Sequence, residues 1–81
     1  MTQTSTMKPR LDPARTVIEL LGGEVRTAEL AGVVPKNVYR WQWPADQGGT
    51  GGIIPMERAM RLLRWSRDHN GPLKPEHFFV G

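Results

Sequence analysis

The chain has 81 residues, a formal net charge of +3 and no cysteine. That length suits one domain burying roughly 60–65% of its unfolded surface, and without cysteine there are neither disulfides nor thiolate metal sites. No apolar run approaches the roughly 18 residues of a membrane span, and the start M-T-Q-T-S-T-M-K-P-R lacks the apolar stretch of a signal peptide, so a cytoplasmic protein with no membrane partner is expected.

Residues 1–10 are polar, rich in Thr and Ser, and a flexible N-terminal arm is expected over 1–11, with the folded domain over 12–81. Asp12-Pro13 looks like a helix N-cap followed by proline in the first turn. The run A-R-T-V-I-E-L-L then offers Val17, Ile18, Leu20 and Leu21 as an apolar face, and Gly22-Gly23 ends this first helix. A second helix is expected over Glu24–Ala31, with Glu24 favourably placed in its first turn and with Val25, Ala28, Leu30 and Ala31 toward the core. Gly32 ends it, and Val33 plugs the turn. A third helix opens on Pro35, where proline is tolerated, and runs to Gln42 or Trp43 before Pro44 stops it.

The segment 44–54 holds Gly48, Gly49, Gly51 and Gly52 around Thr50 and reads as a loop. Ile54-Pro55 opens a fourth helix that Asn70-Gly71-Pro72 closes. Its Met56, Ala59, Met60 and Leu63 recur at helical spacing, widened by Leu62, and read as core or dimer contact. The tail offers a proline-initiated helical turn whose Leu73, Phe78 and Phe79 fold back over the core as a lid. No strand is expected.

One spacing is more specific than the rest. Ala28 is followed four positions later by Gly32, six further by Val38, and three beyond that by Trp41. Two helices that cross closely through a short turn need a small side chain at the crossing, a residue tolerant of positive φ in the turn, and apolar anchors three or four apart on the second helix. The other face of that second helix is then free to enter a DNA major groove. With Val38 and Trp41 turned inward, Lys36, Asn37, Tyr39, Arg40 and Gln42 are expected outward. Between Glu29 and Asp46 the only charged side chains are Lys36 and Arg40. Arginine can grip guanine and asparagine adenine in bidentate pairs, each worth about 1–3 kcal/mol of discrimination. The competing reading is a solvated face on an ordinary helical bundle.

Three further constellations have two readings each. The G-G-T-G-G loop lacks the Gly-Lys-Ser/Thr ending of a nucleotide cradle; it is either a plain linker or a segment laying its N–H groups and the Thr50 hydroxyl on a DNA backbone. Arg58, Arg61, Arg64 and Arg67 recur every three residues and drift around their helix, which favours a solvated face with Arg61–Glu57 and Arg64–Asp68 pairs over phosphate contact. Trp41, Trp43 and Trp65 suit packing, with Trp43 against Trp65, better than base stacking. His69 and His77 read as exposed polar residues, with no metal or cofactor expected. No set of residues fits catalysis, so an enzyme is not expected.

The stretch A-E-L-A-G-V followed by P-K-N-V-Y-R-W resembles the helix-turn-helix of phage Cro/repressor-type regulators and their bacterial relatives, including the YdaS-like antitoxin group. The architecture covers about residues 12–66 and the sharp motif 24–43. The resemblance implies base-reading side chains at Pro35, Lys36, Tyr39 and Arg40. It also implies a compact four- to five-helix domain that binds an operator, often as a dimer. The chain departs from that pattern at Val34, where Ser or Thr usually caps the recognition helix, and Pro35 has no N–H to offer a phosphate. The expectation is an all-α domain with a central helix-turn-helix that binds double-stranded DNA sequence-specifically as a transcriptional regulator. The alternative is a helical protein-interaction module without DNA binding, and an RNA or single-stranded DNA binder is the third reading. A DNA reader should expose Lys36, Tyr39 and Arg40 on one face; an interaction module should expose a large apolar patch.

Overall fold

A computed structural model describes residues 9–78. Most of the expected N-terminal arm, and Phe79 of the expected lid, lie outside the described residues. Four α-helices follow in order: α1 (Ala14–Leu21), α2 (Glu24–Ala31), α3 (Pro35–Gln42) and α4 (Met56–Asp68), with short 3₁₀ turns at Ala45–Gln47 and Pro75–Phe78. The architecture is all-α, and the described residues contain no strand.

Local chemistry sets the helix ends. The Asp12 carboxylate accepts from the Thr16 amide (3.0 Å), the Thr16 hydroxyl (2.6 Å) and the Arg15 guanidinium (3.2 Å), so Asp12 holds the first turn of α1 from just outside it. The Thr16 hydroxyl above all, with the Arg15 guanidinium and the Thr16 amide, holds this carboxyl below its ordinary value of 3.8 against the opposing effect of burial. Gly22 closes α1 in the left-handed conformation (φ 99°), while the Gly23 amide reaches back to the Ile18 carbonyl. Gly32 does the same for α2 (φ 75°). Its amide and that of Val33 both bond the Ala28 carbonyl, leaving Gly32, Val33 and Val34 as a three-residue turn into α3.

The core forms where the helices meet. Ala14, Val17, Ile18 and Leu21 supply a single stripe from α1, and Val38 and Trp41 anchor α3. Ala28 and Ala31 are buried against them; small side chains let α2 pack closely. Leu73 is buried and Phe78 is packed on this core, with the Pro75–Phe78 turn against α1, so the tail folds back as expected.

Several expected core positions turn outward. Leu20 is exposed because an eight-residue helix buries the i, i+3, i+4, i+7 stripe beginning at Ala14, and Leu20 lies off it. Val25 is 60% exposed. Thr27 is buried instead, its hydroxyl satisfied by the Gly23 carbonyl at 2.8 Å. On α4 the buried line is Ala59, Leu62 and Ser66, with Met56 70% and Met60 52% exposed. Ser66 tolerates burial because its Oγ accepts the Leu73 amide at 2.8 Å.

Candidate nucleic-acid interface

Helix α3 begins without a side-chain cap. Val34 occupies the N-cap position with extended backbone, Pro35 follows at the first helical position, and the Asn37 amide bonds the Val34 carbonyl at 3.0 Å. Proline has no amide to leave unsatisfied there, which offsets part of what the missing cap loses. Val38, Trp41 and Gln42 face inward. Lys36, Asn37, Tyr39 and Arg40 are exposed, as the spacing predicts, and so is Pro35, which the resemblance adds to them.

Gln42 is the correction on this helix. It is 1% exposed, and its Nε2 donates to the Glu24 carboxylate at 3.0 Å. The same carboxylate faces the Arg10 guanidinium at 3.6 Å. Positions 38, 41 and 42 form an i, i+3, i+4 set, so helical geometry puts Gln42 on the same side as Val38. That signal was in the sequence. Its polarity points outward, but its amide stitches the end of α3 to the start of α2. Gln42 is therefore not available to a base.

The glycine loop is also corrected. The amides of Gly48, Gly49, Thr50 and Gly51 bond the carbonyls of Ala45, Pro44, Arg40 and Trp43 respectively. The Thr50 hydroxyl reaches the carbonyls of Trp41 and Ile53, so its one proton is committed within the fold. The Leu11 amide takes the Gln42 carbonyl at 2.8 Å. Pro44 ends α3 and leaves its last carbonyls without intrahelical donors. The loop and Leu11 supply those donors. The segment is a C-terminal cap for α3, with the amides of Gly48, Gly49, Thr50 and Gly51 already used, and neither those amides nor the Thr50 hydroxyl is left to donate to a phosphate.

The arginines of α4 divide in a way their spacing hides. Arg58 donates to the Ala31 carbonyl (3.3 Å) and Arg61 to the Leu30 carbonyl (3.1 Å), capping the C-terminus of α2 from the neighbouring helix. The expected Arg61–Glu57 and Arg64–Asp68 pairs do not form; Asp68 instead meets Arg67 at 3.4 Å. The orphan carbonyls of α2, at the negative end of its dipole, attract the guanidinium groups. Trp65 packs within the fold, with His69 stacked at 5.1 Å and the Arg26 guanidinium 5.7 Å from its ring centroid.

This leaves a sorted set of cations. Arg10, Arg15, Arg26 and Arg67 sit in ion pairs, and Arg58 and Arg61 hold carbonyls. Among the described residues Lys36, Arg40, Arg64 and Lys74 have no side-chain partner. Lys36 and Arg40 stand one helical turn apart on the exposed face of α3, which carries no acid. Glu57 shares a hollow of about 280 Å³ with Asn37, Trp41 and Met56. Among the described residues no group of three metal-ligating side chains occurs, and no helix is long and apolar enough to cross a membrane. Comparison of the chain with protein-family models, curated proteins and solved structures finds no match.

Proposed function

We propose that this domain binds double-stranded DNA sequence-specifically through α3, as a transcriptional regulator of the phage Cro/repressor type. One observation carries the reading. Lys36 and Arg40 are left without partners on an exposed helix face when most other described cations are engaged. An unpaired lysine–arginine pair flanked by Asn37 and Tyr39 has the chemistry of a base-reading surface. The eight residues of α3 make a rod about 12 Å long, commensurate with the roughly 12 Å width of a major groove.

In this reading Arg40 donates its fork to guanine O6 and N7, and Asn37 pairs with the adenine edge. Lys36, nearer the helix start, reaches a base or a phosphate. Tyr39 donates to a phosphate or lies on a thymine methyl, and Pro35 packs against the groove wall. The glycine loop and Gln42 act behind this surface. By capping and tethering α3 they fix the angle at which its side chains are offered, which lowers the ordering cost of binding.

Selection from a pool of randomised duplexes tests the proposal. The parent chain should enrich a consensus sequence. The Lys36→Gln/Arg40→Gln variant, changed only at exposed positions, should keep its thermal melt and enrich none. A parent chain that enriches no consensus contradicts the reading. A palindromic consensus would report two copies on one site.

A further inference from the structure

Among the described residues, Lys36 and Arg40 are one half of the unpartnered cations. The other half, Arg64 and Lys74, lies elsewhere. Both line an open groove of about 580 Å³ between the C-terminal half of α4 and the chain that returns past it through Gly71 and Pro75. No residue of α3 contributes to it. The floor is apolar: buried Leu73, half-buried Leu63, and Met60, which stays half in solvent.

The groove is held in shape from beneath. The Gly71 amide bonds the Ser66 carbonyl at 2.7 Å, and the Leu73 amide bonds the Ser66 hydroxyl at 2.8 Å. A side chain at Gly71 would run into that hydroxyl (2.7 Å) and the Trp65 ring (3.1 Å). The ionisable residues lining the groove are Arg64, Arg67 and Lys74, all basic. Asp68 and Glu76 follow lining residues in sequence but do not line it, and Asp68 faces the Nε of Arg67.

We infer that this groove receives an acidic segment of a partner protein, with one or two apolar side chains seated on Met60, Leu63 and Leu73 and carboxylates over Arg64 and Lys74. An apolar floor under a wholly basic rim is complementary to a chain that carries both kinds of group. A DNA backbone would satisfy the rim but offers only small deoxyribose C–H faces between its charged phosphates, a poor match to three large apolar side chains. The volume lies within the roughly 300–1,000 Å³ of sites that enclose compact groups. Because α3 stands apart from the lining, the partner and a duplex occupy separate surfaces. The inference does not depend on the DNA reading.

Random short peptides displayed on phage, panned against the full chain, provide the test. The expected outcome is enrichment of net-acidic peptides that carry two apolar residues. A synthetic copy of the most enriched peptide should shift the amide signals of Leu63, Ser66, Gly71 and Lys74 and leave those of Lys36 to Arg40 in place. The Arg64→Gln/Lys74→Gln variant should bind that peptide about fivefold or more weakly with an unchanged melt. Enrichment of nothing, enrichment of peptides without acids, or binding indifferent to the double variant would overturn the inference. So would a plain duplex that moves the same amides, which would give the groove to DNA, or a dimer of the chain that fills it.

Discussion

Replacing Gly49 with alanine tests whether the glycine loop is a cap for α3. A Cβ at this position would lie 2.5 Å from the Trp43 Cβ and 2.6 Å from the Arg40 carbonyl oxygen, and closer still to the Trp43 carbonyl. Real contacts of this kind sit near 3.4 Å or beyond, and the Arg40 and Trp43 carbonyls are backbone that cannot rotate away. The loop must therefore move outward by about 1 Å, with an overpacking cost of typically 1–3 kcal/mol. That movement stretches the bonds from the Thr50 amide to Arg40 and from the Gly51 amide to Trp43 without breaking them, which adds roughly 1 kcal/mol for the two together. A total of about 2–4 kcal/mol is a large share of what a domain this size holds in reserve. It corresponds to a fall of roughly 10–25 °C in melting temperature. Thermal and urea denaturation followed by circular dichroism measure it. A melt equal to the parent's would mean that the loop moves freely away from α3, and the capping argument would be wrong.

Ala28→Leu should destabilise the fold by about 1–3 kcal/mol, because the buried methyl of Ala28 sits where α2 packs closely on its neighbours; urea denaturation checks this. Asp12→Ala should cost about 0.5–2 kcal/mol by removing the cap of α1. The folded-state pKa of Asp12 is depressed below 3.8, so its stabilisation is present above the unfolded value and is lost as pH falls through the folded one. The melts of parent and variant should thus draw together as pH falls below 3.8 and through the folded value, and a constant gap would refute the assignment. Arg40→Ala should weaken binding to a selected site by about 1–3 kcal/mol and relax preference at one base pair, as read by titrating single-base variants of the site.

The helices were legible where the chain punctuates itself. Gly32, Pro35 and Pro44 mark the ends of α2 and α3, and each acts within a residue or two of where it stands, so the structure places both helices where the sequence does. The exposed set Lys36, Asn37, Tyr39 and Arg40 was legible because it is the complement of Val38 and Trp41 on a helix of known pitch, but the same complement wrongly took in Gln42, which is buried. What could not be read depended on partners distant in sequence. Arg58 and Arg61 have local candidates for pairing, yet they bond carbonyls 27 and 31 residues away, which only the packing of α4 on α2 brings within reach. Thr50 and its neighbouring amides look free in a glycine-rich string. Their commitment appears only when the loop folds back on α3. Met56 and Met60 show a different difficulty. The apolar stripe on α4 is wider than the surface offered to it, and apolarity alone does not say which edge stays wet.

Duplex binding measured across a range of salt, with a selected site and a scrambled duplex of equal composition, tests the DNA reading most directly. With Lys36 and Arg40 as the unpartnered cations of α3 and the loop amides already used, affinity should fall with a log–log slope of about −1 to −2 per protomer, doubled for a dimer. The selected site should be held at least about a thousandfold more tightly than the scrambled one at physiological salt. Equal binding to the two duplexes, or an affinity indifferent to salt, would contradict the assignment of α3 as a DNA-reading helix.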